Sequence, residues 1–241
     1  MTVLWSALPV SVIIPALNEA STIAATVRSV REAGADEVIV VDGGSEDGTS
    51  DAARPVADVV VSSPPGRARQ MNAGARAAKG AILLFLHADT TMRNGSIASI
   101  RQAVEREGFL GGAFRVRLAV SPSAPPLRKA ALRLTARMIG VRARLFRAYT
   151  GDQAIFLRRD VFERIGAYPE IPLMEDVELS RRLTRQGRTV LLPVPVTTSA
   201  RRWETRGTLR TILLMWGLRL AYLLGMPPGR CAELYGRRKT G

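Results

Sequence analysis

The sequence predicts an α/β domain in which helices flank a mostly parallel sheet, followed by a basic helical extension. Three observations indicate this fold class. Short apolar runs typical of strands alternate with segments of helical periodicity over residues 1–112. Polar turn residues follow several of these runs, as they do at the carboxyl edge of a parallel sheet. The chain has 241 residues, 46% of them hydrophobic and 23% charged, which is the composition of a globular protein.

The elements of the first half can be assigned in order. The β-branched run over 10–14 predicts a first strand, and apolar residues at helical spacing over 23–30 predict the next helix. A short helix is expected before the third strand. The remaining strands are predicted at 37–41, 59–61 and 81–86, and the longer helices at 67–79 and 94–107. Strands and helices in this alternation indicate βαβ units, whose strands run parallel.

The second half begins with a predicted strand at 111–120, a proline-rich break and a basic helix over 127–147. The apolar side chains of this helix form one stripe, at positions 127, 131, 134, 138, 141 and 145. A strand at 151–157, a polar helix at 175–185 and a strand at 189–192 follow. We expect one domain over 1–205, with halves at 1–112 and 113–205, and an extension over 206–241 that carries an amphipathic helix and a basic tail.

The net charge of +14 is concentrated in one half of the chain. Residues 1–112 contain 10 basic and 12 acidic side chains, whereas residues 113–241 contain 25 and 9. Three interpretations remain open: a solvated arginine-rich face, a surface that docks on an anionic membrane, or a nucleic-acid interface. Nucleic acid has the least support, because only 5% of the residues are aromatic and no nucleic-acid-binding motif is recognised.

Several other classes are excluded by what the sequence lacks. A single cysteine, Cys231, excludes a disulfide framework and a multi-cysteine metal site, and indicates a reducing cytoplasm. The first 15 residues carry no Lys or Arg, so a signal peptide is not expected. The apolar stretch at 211–228 is interrupted by Arg219 and is too short to span a bilayer. An apolar stripe over 206–224 suits either an interfacial helix or packing on the core.

Polar residues that follow predicted strands, or open a helix, are the candidates for chemistry. Asp42 precedes two glycines and suits either a contact to a base or ribose or a simple turn. Asp89 follows a buried strand, where a carboxylate can hold a divalent cation or cap a helix. His87, the single histidine, is more often a satisfied imidazole than a ligand. Glu175 and Asp176 complement a helix dipole, and adjacent carboxylates also suit a general base.

Neither a Gly-x-Gly-x-x-Gly nor a Walker-type motif occurs, so a phosphate has to be bound in another way. Five motifs in order, covering roughly residues 10–195, resemble the family 2 glycosyltransferases, which have a nucleotide-sugar fold of the GT-A type. The motifs are Val12–Glu19, Val40–Thr49, Gly66–Gly74, Phe85–Asp89 and Met174–Arg182. The strings Phe85–Asp89 and Thr150–Gln153 are similar to those of a small bacterial subgroup. The chain carries His87 where family members often carry Asp.

The resemblance implies a single GT-A-like domain with a Rossmann-like sheet, a nucleotide half at 1–112 and an acceptor half at 113–205. It implies that Asp176, with Glu175 beside it, is catalytic, and that Asp89 holds Mn²⁺ or Mg²⁺. Asp152 and Gln153 would face the acceptor or the donor sugar. The implied nucleotide-binding residues are Pro15, Ala16, Asn18, Glu19, Asp42, Gly43, Arg67, Asn72, His87 and Ala88.

The activity implied is a metal-dependent, inverting transfer of a sugar to an acceptor hydroxyl, with a UDP-sugar favoured over a GDP-sugar as the donor. The basic half favours a lipid-linked or isoprenoid acceptor, which places the protein in the cytoplasm or on the inner face of the cell membrane. Two alternatives remain. One is a protein of the same fold that binds nucleic acid or a membrane surface, and the other is a nucleotidyltransferase.

Overall fold

The strands of the sheet follow the predicted apolar runs. The computed structural model describes residues 8–121, 123–201 and 207–236. Over this part of the chain the strands are β1 (Val10–Ala16), β2 (Glu37–Asp42), β3 (Val59–Ser62), β4 (Ile82–Phe85), β5 (Thr90–Thr91), β6 (Gly111–Ala119), β7 (Ile155–Arg158) and β8 (Thr189–Ser199). The predictions for residues 1–7, for the start of the extension at 206 and for the tail at 237–241 lie outside the described residues.

Helices connect most of these strands. They are α1 (Ala20–Glu32), α2 (Thr49–Ala53), α3 (Arg67–Ala77), α4 (Ser96–Arg101), α5 (Pro126–Phe146), α6 (Arg159–Arg164), α7 (Glu175–Gln186), α8 (Thr208–Leu223) and α9 (Pro228–Gly236). A π-helical turn, Gln102–Arg106, continues α4, and a 3₁₀ turn, Gly151–Gln153, precedes β7. Within the described residues, none of the helices has the length and apolar character needed to cross a membrane.

The sheet is mostly parallel, as predicted. Its strand order is β3-β2-β1-β4-β7-β6-β8-β5. The first four strands are parallel to one another, and β6 is parallel to β8. In contrast, β7 runs antiparallel to both β4 and β6, and β5 runs antiparallel to β8. The carboxyl ends of the parallel strands and the start of β7 therefore meet at one edge of the sheet.

Two helical layers cover the sheet, which explains why its central strands are apolar on both faces. Alternate residues of a strand point to opposite faces. Ile14 packs in one cluster with Ile23 and Val27 of α1, and Ile13 packs in the other with Met71 of α3. The strands β1 and β4 are accordingly buried along almost their entire length.

The predicted strand at 151–157 is wrong in its first half. Residues 151–153 form the 3₁₀ turn, and the strand begins at Ile155. The side chain of Thr150 caps this turn, and the Gln153 side chain bonds back to the backbone of Thr150. These reciprocal hydrogen bonds stabilise a turn where apolar periodicity alone suggests a strand.

The last strand is longer than its predicted range of 189–192. It continues to Ser199 through Pro193 and Pro195, two residues that cannot donate a ladder hydrogen bond. The register of β6 against β8 shifts between Phe114 and Arg115, opposite these prolines. A bulge at this point lets the two strands resume pairing beyond the prolines.

The buried faces of α5 and α8 differ from what their apolar stripes suggest. The row of α5 that packs inward consists of Leu132, Thr135, Ile139 and Ala143, not the predicted apolar stripe. On α8, Leu218 is buried, while several other large apolar side chains face solvent. The short elements β5, α6 and α9 were not predicted, since two to nine residues give little periodic signal.

We expect Gly112→Ala to destabilise the fold, because β6 approaches β8 closely at this glycine. A Cβ atom here would lie 2.0 Å from the carbonyl oxygen of Val190. Relief requires a shift of backbone, and such overpacking typically costs about 1–3 kcal/mol of unfolding free energy. Urea denaturation followed by circular dichroism measures the loss. Gly140→Ala on α5 is the matched control, because its Cβ meets no atom within 4 Å and alanine favours a helix. Equal stability of the two variants would contradict the prediction.

Candidate active site

A cleft of about 740 Å³ opens at the sheet edge where the parallel strands end. This is the edge at which α/β folds bind their ligands. Nine of the residues singled out in the sequence line the cleft together: Pro15, Ala16, Glu19, Arg67, His87, Ala88, Asp89, Asp152 and Asp176. Asn18, Asp42, Gly43, Asn72 and Gln153 are not among its lining residues, and Glu175 lines an adjoining cavity.

The loop after β1 is held against the loop after β2. Asn18 has a positive φ of 55°, and its side-chain oxygen accepts a hydrogen bond from Glu46 N at 3.0 Å. Asp42 is buried and accepts hydrogen bonds from the backbone N–H and the hydroxyl of Ser45. The backbone N–H of Glu19 donates to Thr49 Oγ1 at 2.8 Å. These contacts make Asn18 and Asp42 supports of the cleft wall in this structure.

Gln70, which is not among the predicted site residues, joins the ends of the first two strands. Its buried Nε2 donates to the carbonyl oxygens of Ala16 at 2.8 Å and Val41 at 2.9 Å. Gly43 lies directly over this side chain, since a Cβ there would meet Gln70 Nε2 at 2.9 Å. The sequence feature that could have identified Gln70 is a polar residue on the buried face of a predicted helix. The glycine after Asp42 is therefore explained by packing.

The end of β4 places His87 and Asp89 in the cleft. Asp89 is partly buried and its carboxylate lies 3.5 Å from the Thr198 hydroxyl. The helix-cap interpretation of Asp89 is wrong, because α4 begins at Ser96 and its cap residue is Gly95. A Cβ on Gly151 would meet His87 Nε2 at 2.7 Å, so the imidazole packs closely on the 3₁₀ turn.

The start of α7 places Asp176 in the cleft, beside the 3₁₀ turn. Asp176 Oδ2 accepts a hydrogen bond from Gly151 N at 2.8 Å, and Oδ1 accepts one from Val177 N at 2.7 Å. Burial raises the pKa of Asp176, and the charge of Asp152 adds to this effect. The Gly151 N–H and the Arg67 guanidinium oppose the rise in pKa. The result is a carboxylate that is fixed in direction and more basic than usual.

Glu175 is less exposed than its neighbour. Only 5% of its surface is exposed. Burial, followed by the charge of Asp176, raises the pKa of Glu175 to about 7, and Arg67 opposes the rise. The two adjacent carboxyl groups therefore titrate as a coupled pair.

A second cavity of about 510 Å³ joins the cleft at Asp176. Both are lined by Arg67, Asp176 and Arg219. The walls of the second cavity that are not shared with the cleft are largely apolar, and include Pro65, Pro172, Leu173, Met174 and Tyr235. Arg219 Nε is buried and has no hydrogen-bond partner among the residues that the structure describes. Asp176 thus lies between a polar cleft and a more apolar cavity.

Two residues implied to bind substrate instead hold the walls together. The side chain of Asn72 is buried and exchanges hydrogen bonds of 2.9 and 3.0 Å with the backbone of Tyr168. Gln153 is fully buried, accepts a hydrogen bond from Arg142 at 3.1 Å and donates to Phe114 O at 3.3 Å. Their amides are occupied by protein groups and position α3 and the 3₁₀ turn.

The polar groups of the cleft fit a cation that is shared with a substrate rather than one held by protein alone. Within the described ranges no group of three or more His, Cys, Asp or Glu side chains could hold a metal ion. Asp89 supplies one carboxylate at the end of β4. Mg²⁺ and similar hard cations are commonly bound by one or two carboxylates together with substrate phosphates and water. Asp89 and a diphosphate would meet this requirement.

Comparison with known proteins identifies the family of this chain. Residues 11–166 match the model of glycosyl transferase family 2, so the chain belongs to this family. No curated protein sequence matches the chain. The family predicted from the sequence motifs is therefore confirmed, over a match that ends at residue 166, before the motif Met174–Arg182.

Solved structures show the same fold at low sequence identity. TarS residues 1–349 from S. aureus, in complex with UDP-GlcNAc, has a TM-score of 0.61 and 17% identity, covering 80% of this chain and 58% of that chain. The longer S. aureus TarS chain gives 0.60 and 18%, with coverage of 80% and 37%. This chain thus spans about a third to three-fifths of the TarS chains.

A further similar structure is glucosyl-3-phosphoglycerate synthase from Mycobacterium tuberculosis, in complex with Mn²⁺, UDP and glucosyl-3-phosphoglycerate. Its TM-score is 0.54 at 20% identity, with coverage of 78% of this chain and 70% of that chain. Together these similarities confirm the predicted fold class, a single GT-A-like α/β domain.

Proposed function

We propose that the protein is an inverting glycosyltransferase that moves a sugar from a UDP-sugar to an acceptor hydroxyl and depends on Mn²⁺ or Mg²⁺. The observation that carries this proposal is the position of Asp176, where the cleft meets the second cavity. The choice of UDP and Mn²⁺ is supported by similar folds that were crystallised with them.

The cleft provides the donor site in this proposal. The start of α3 lies at its wall, and the N-terminus of a helix favours a phosphate group through its free backbone N–H groups and dipole. Arg67 and Arg219 add positive charge beside it. Asp89 would hold the divalent cation, which when bound neutralises charge on the departing diphosphate.

Asp176 acts as the general base. It accepts the proton of the acceptor hydroxyl while the acceptor oxygen forms a bond to the anomeric carbon of the sugar. The bond from that carbon to the diphosphate oxygen breaks, and its electron pair leaves with UDP. The hydrogen bond from Gly151 N fixes the direction of the carboxylate. A single displacement of this kind inverts the anomeric configuration.

The second cavity provides the acceptor site. Its walls combine apolar residues with Arg67 and Arg219, and also include the ion pair of Arg69 and Glu170. We propose that it takes an acceptor with an apolar part, whose anionic group would lie beside Arg67 and Arg219. A lipid-linked or isoprenoid acceptor has this character. We accordingly propose a cytoplasmic protein that meets its acceptor at the inner face of the cell membrane.

A panel of nucleotides and nucleotide sugars tests the class, the donor and the metal together. We expect UDP and one UDP-sugar to raise the melting temperature of the protein, and Mn²⁺ or Mg²⁺ to increase this shift. The product anomer is then determined by nuclear magnetic resonance. A retained anomer would exclude the inverting mechanism, and release of pyrophosphate from a nucleoside triphosphate would favour a nucleotidyltransferase. Stabilisation by no member of the panel would contradict the proposal.

The pH dependence separates the roles of Glu175 and Asp176. Because the base must be ionised, kcat/KM is expected to rise with pH as the coupled pair loses its protons, above the usual carboxyl range. Glu175→Gln should retain most of the rate. Its pH–rate profile should lack the inflection near pH 7 that ionisation of Glu175 produces. Rate profiles of both proteins provide the test. If Glu175→Gln were as inactive as an Asp176 variant, Glu175 would be the base instead.

A further inference from the structure

The helix α5 carries an apolar stripe that no part of the described chain covers. Its large apolar side chains follow helical spacing on one face, and their exposed fractions range from 39 to 83%. They are Leu127, Leu134, Met138, Val141 and Leu145, with Phe146 at the helix end. A different row of this helix packs on the domain. The stripe is therefore an additional surface and not a part of the core.

The helix α8 carries a second stripe of the same kind. Leu213, Trp216, Leu220 and Leu223 recur at helical spacing and are 47 to 67% exposed, and Leu224 follows the helix. Contiguous exposed apolar surface is uncommon on soluble proteins and marks sites of interaction. We name the exposed apolar residues of α5 and α8 the two-helix surface.

Both helices border the candidate active site. Thr135 and Ile139 of α5 line the cleft, as do Thr211 and Met215 of α8. Trp216 belongs to both features, because it lines the cleft and is also 47% exposed. Any partner that covers the two-helix surface would therefore lie next to the opening of the cleft.

The charge around these stripes identifies the kind of partner. No Asp or Glu occurs over residues 113–151 or 207–232, which include both helices. The exposed basic residues of these regions include Arg128, Arg133, Arg137, Arg144, Arg147, Arg210 and Arg230. A second copy of this chain would bring the same positive charge to the contact, and like charges oppose such a contact. A surface of negative charge with an apolar interior is complementary to both features.

We infer that the two-helix surface binds an anionic lipid bilayer, with α5 and α8 lying at its interface. Amphipathic helices with basic and apolar residues bind in this way, through buried apolar side chains and attraction to anionic headgroups. Arg210 and Arg219 interrupt α8, which agrees with a helix that lies on a membrane and does not cross it. This inference goes beyond the proposed reaction, because lipid binding requires neither the donor nor Asp176.

Co-sedimentation with vesicles tests the inference. We expect the full chain to bind vesicles of phosphatidylcholine mixed with phosphatidylglycerol at least about tenfold more tightly than vesicles of phosphatidylcholine alone. High salt should weaken the binding, since it screens the charges. Leu134→Glu combined with Leu145→Glu should weaken it about 100-fold, because two buried apolar contacts are lost and two negative charges are added. Both side chains are exposed, so the fold should persist, and a thermal melt checks this.

Charge variants separate a specific surface from a general effect of net charge. Arg133→Glu with Arg137→Glu on α5 should weaken binding about tenfold or more. Arg28→Glu with Arg76→Glu makes the same change in net charge at exposed positions on α1 and α3 and should leave binding almost unchanged. UDP-sugar binding, measured without vesicles, should be normal in both double arginine variants. This measurement keeps the test distinct from that of the proposed function.

Three results would overturn the inference. The first is no binding of the wild-type chain to the anionic vesicles. The second is equal loss of binding in the α5 variants and in the α1 and α3 control, which would indicate net charge alone. The third is a dimer, detected by light scattering, that Leu145→Glu dissociates, because a second copy would then occupy the surface.

Discussion

Asp176→Asn is expected to lower turnover by about 100-fold or more, with little change in donor binding, because general-base assistance typically contributes about 10²–10⁴ in rate. The amide is nearly the same shape as the carboxylate but cannot accept the proton of the acceptor. Asp176 is the carboxylate that lies between the cleft and the second cavity, and the hydrogen bond from Gly151 N holds it there. Release of UDP from a UDP-sugar in the presence of acceptor measures turnover.

Two controls make this result specific to the base. Glu175→Gln changes the neighbouring carboxyl group in the same way and should retain most of the activity, because Glu175 lines the second cavity but not the cleft. Titration of UDP into the Asp176 variant should give wild-type affinity within about threefold, since the loss is in the chemical step. Near-normal turnover of Asp176→Asn would remove this residue from the site.

The coupled carboxyl pair also links activity to stability. A carboxyl group whose pKa is raised on folding binds more protons in the folded state than in the unfolded state. The free energy of unfolding is therefore higher at low pH, where Glu175 is protonated. It falls as the pH rises from the ordinary pKa of a glutamate towards about 7. The pH at which Asp176 is ionised and active is thus the pH at which Glu175 destabilises the fold. This cost is consistent with a functional role for the pair.

The parts of the site that follow consecutive strands could be predicted from sequence. Ala16, Asp42 and Asp89 each stand at or just after the end of a parallel strand, and parallel strands end at one edge. Whether a side chain at such an end faces the cleft is not a local property. Asp42 bonds to Ser45, whereas Asp89 lines the cleft, and neither outcome is visible in the spacing.

Non-local pairing explains most of what the sequence could not predict. The strand β7 reverses direction between β4 and β6, and this reversal brings Gly151 and Asp152 to the same edge as Asp89. Apolar periodicity does not specify the direction of a strand or its neighbours. Arg219 reaches the cleft only because α8 folds back over it, so its role could not be read from a local motif.

The helix α5 shows a different limit of periodicity. Apolar residues occur on two of its faces, in the row that includes Leu132 and Ile139 and in the stripe that includes Leu134 and Val141. Both rows satisfy helical spacing, so the pattern identifies a helix without identifying its buried face. The exposed row becomes informative only when the structure shows which row packs on the domain.

Asp89→Ala is expected to lower turnover by about 100-fold or more and to abolish the effect of Mn²⁺ or Mg²⁺ on nucleotide binding. Asp89 is the carboxylate that the end of β4 places in the cleft, and the described residues offer no group of three ligands there that could replace it. Its carboxylate lies 3.5 Å from the Thr198 hydroxyl. Melting temperatures with UDP, with and without Mn²⁺, measure the coupling of metal and nucleotide.

The pattern of results distinguishes a metal ligand from a general electrostatic contribution. Asp51→Ala removes the same charge from an exposed position on α2 and should leave both turnover and the Mn²⁺ effect unchanged. In Asp89→Ala, UDP alone should still bind, because the start of α3 and Arg67 remain in place. A Mn²⁺ effect that persists in this variant would show that the cation is held elsewhere, and Asp89 would then have to act on the sugar or on its neighbour His87.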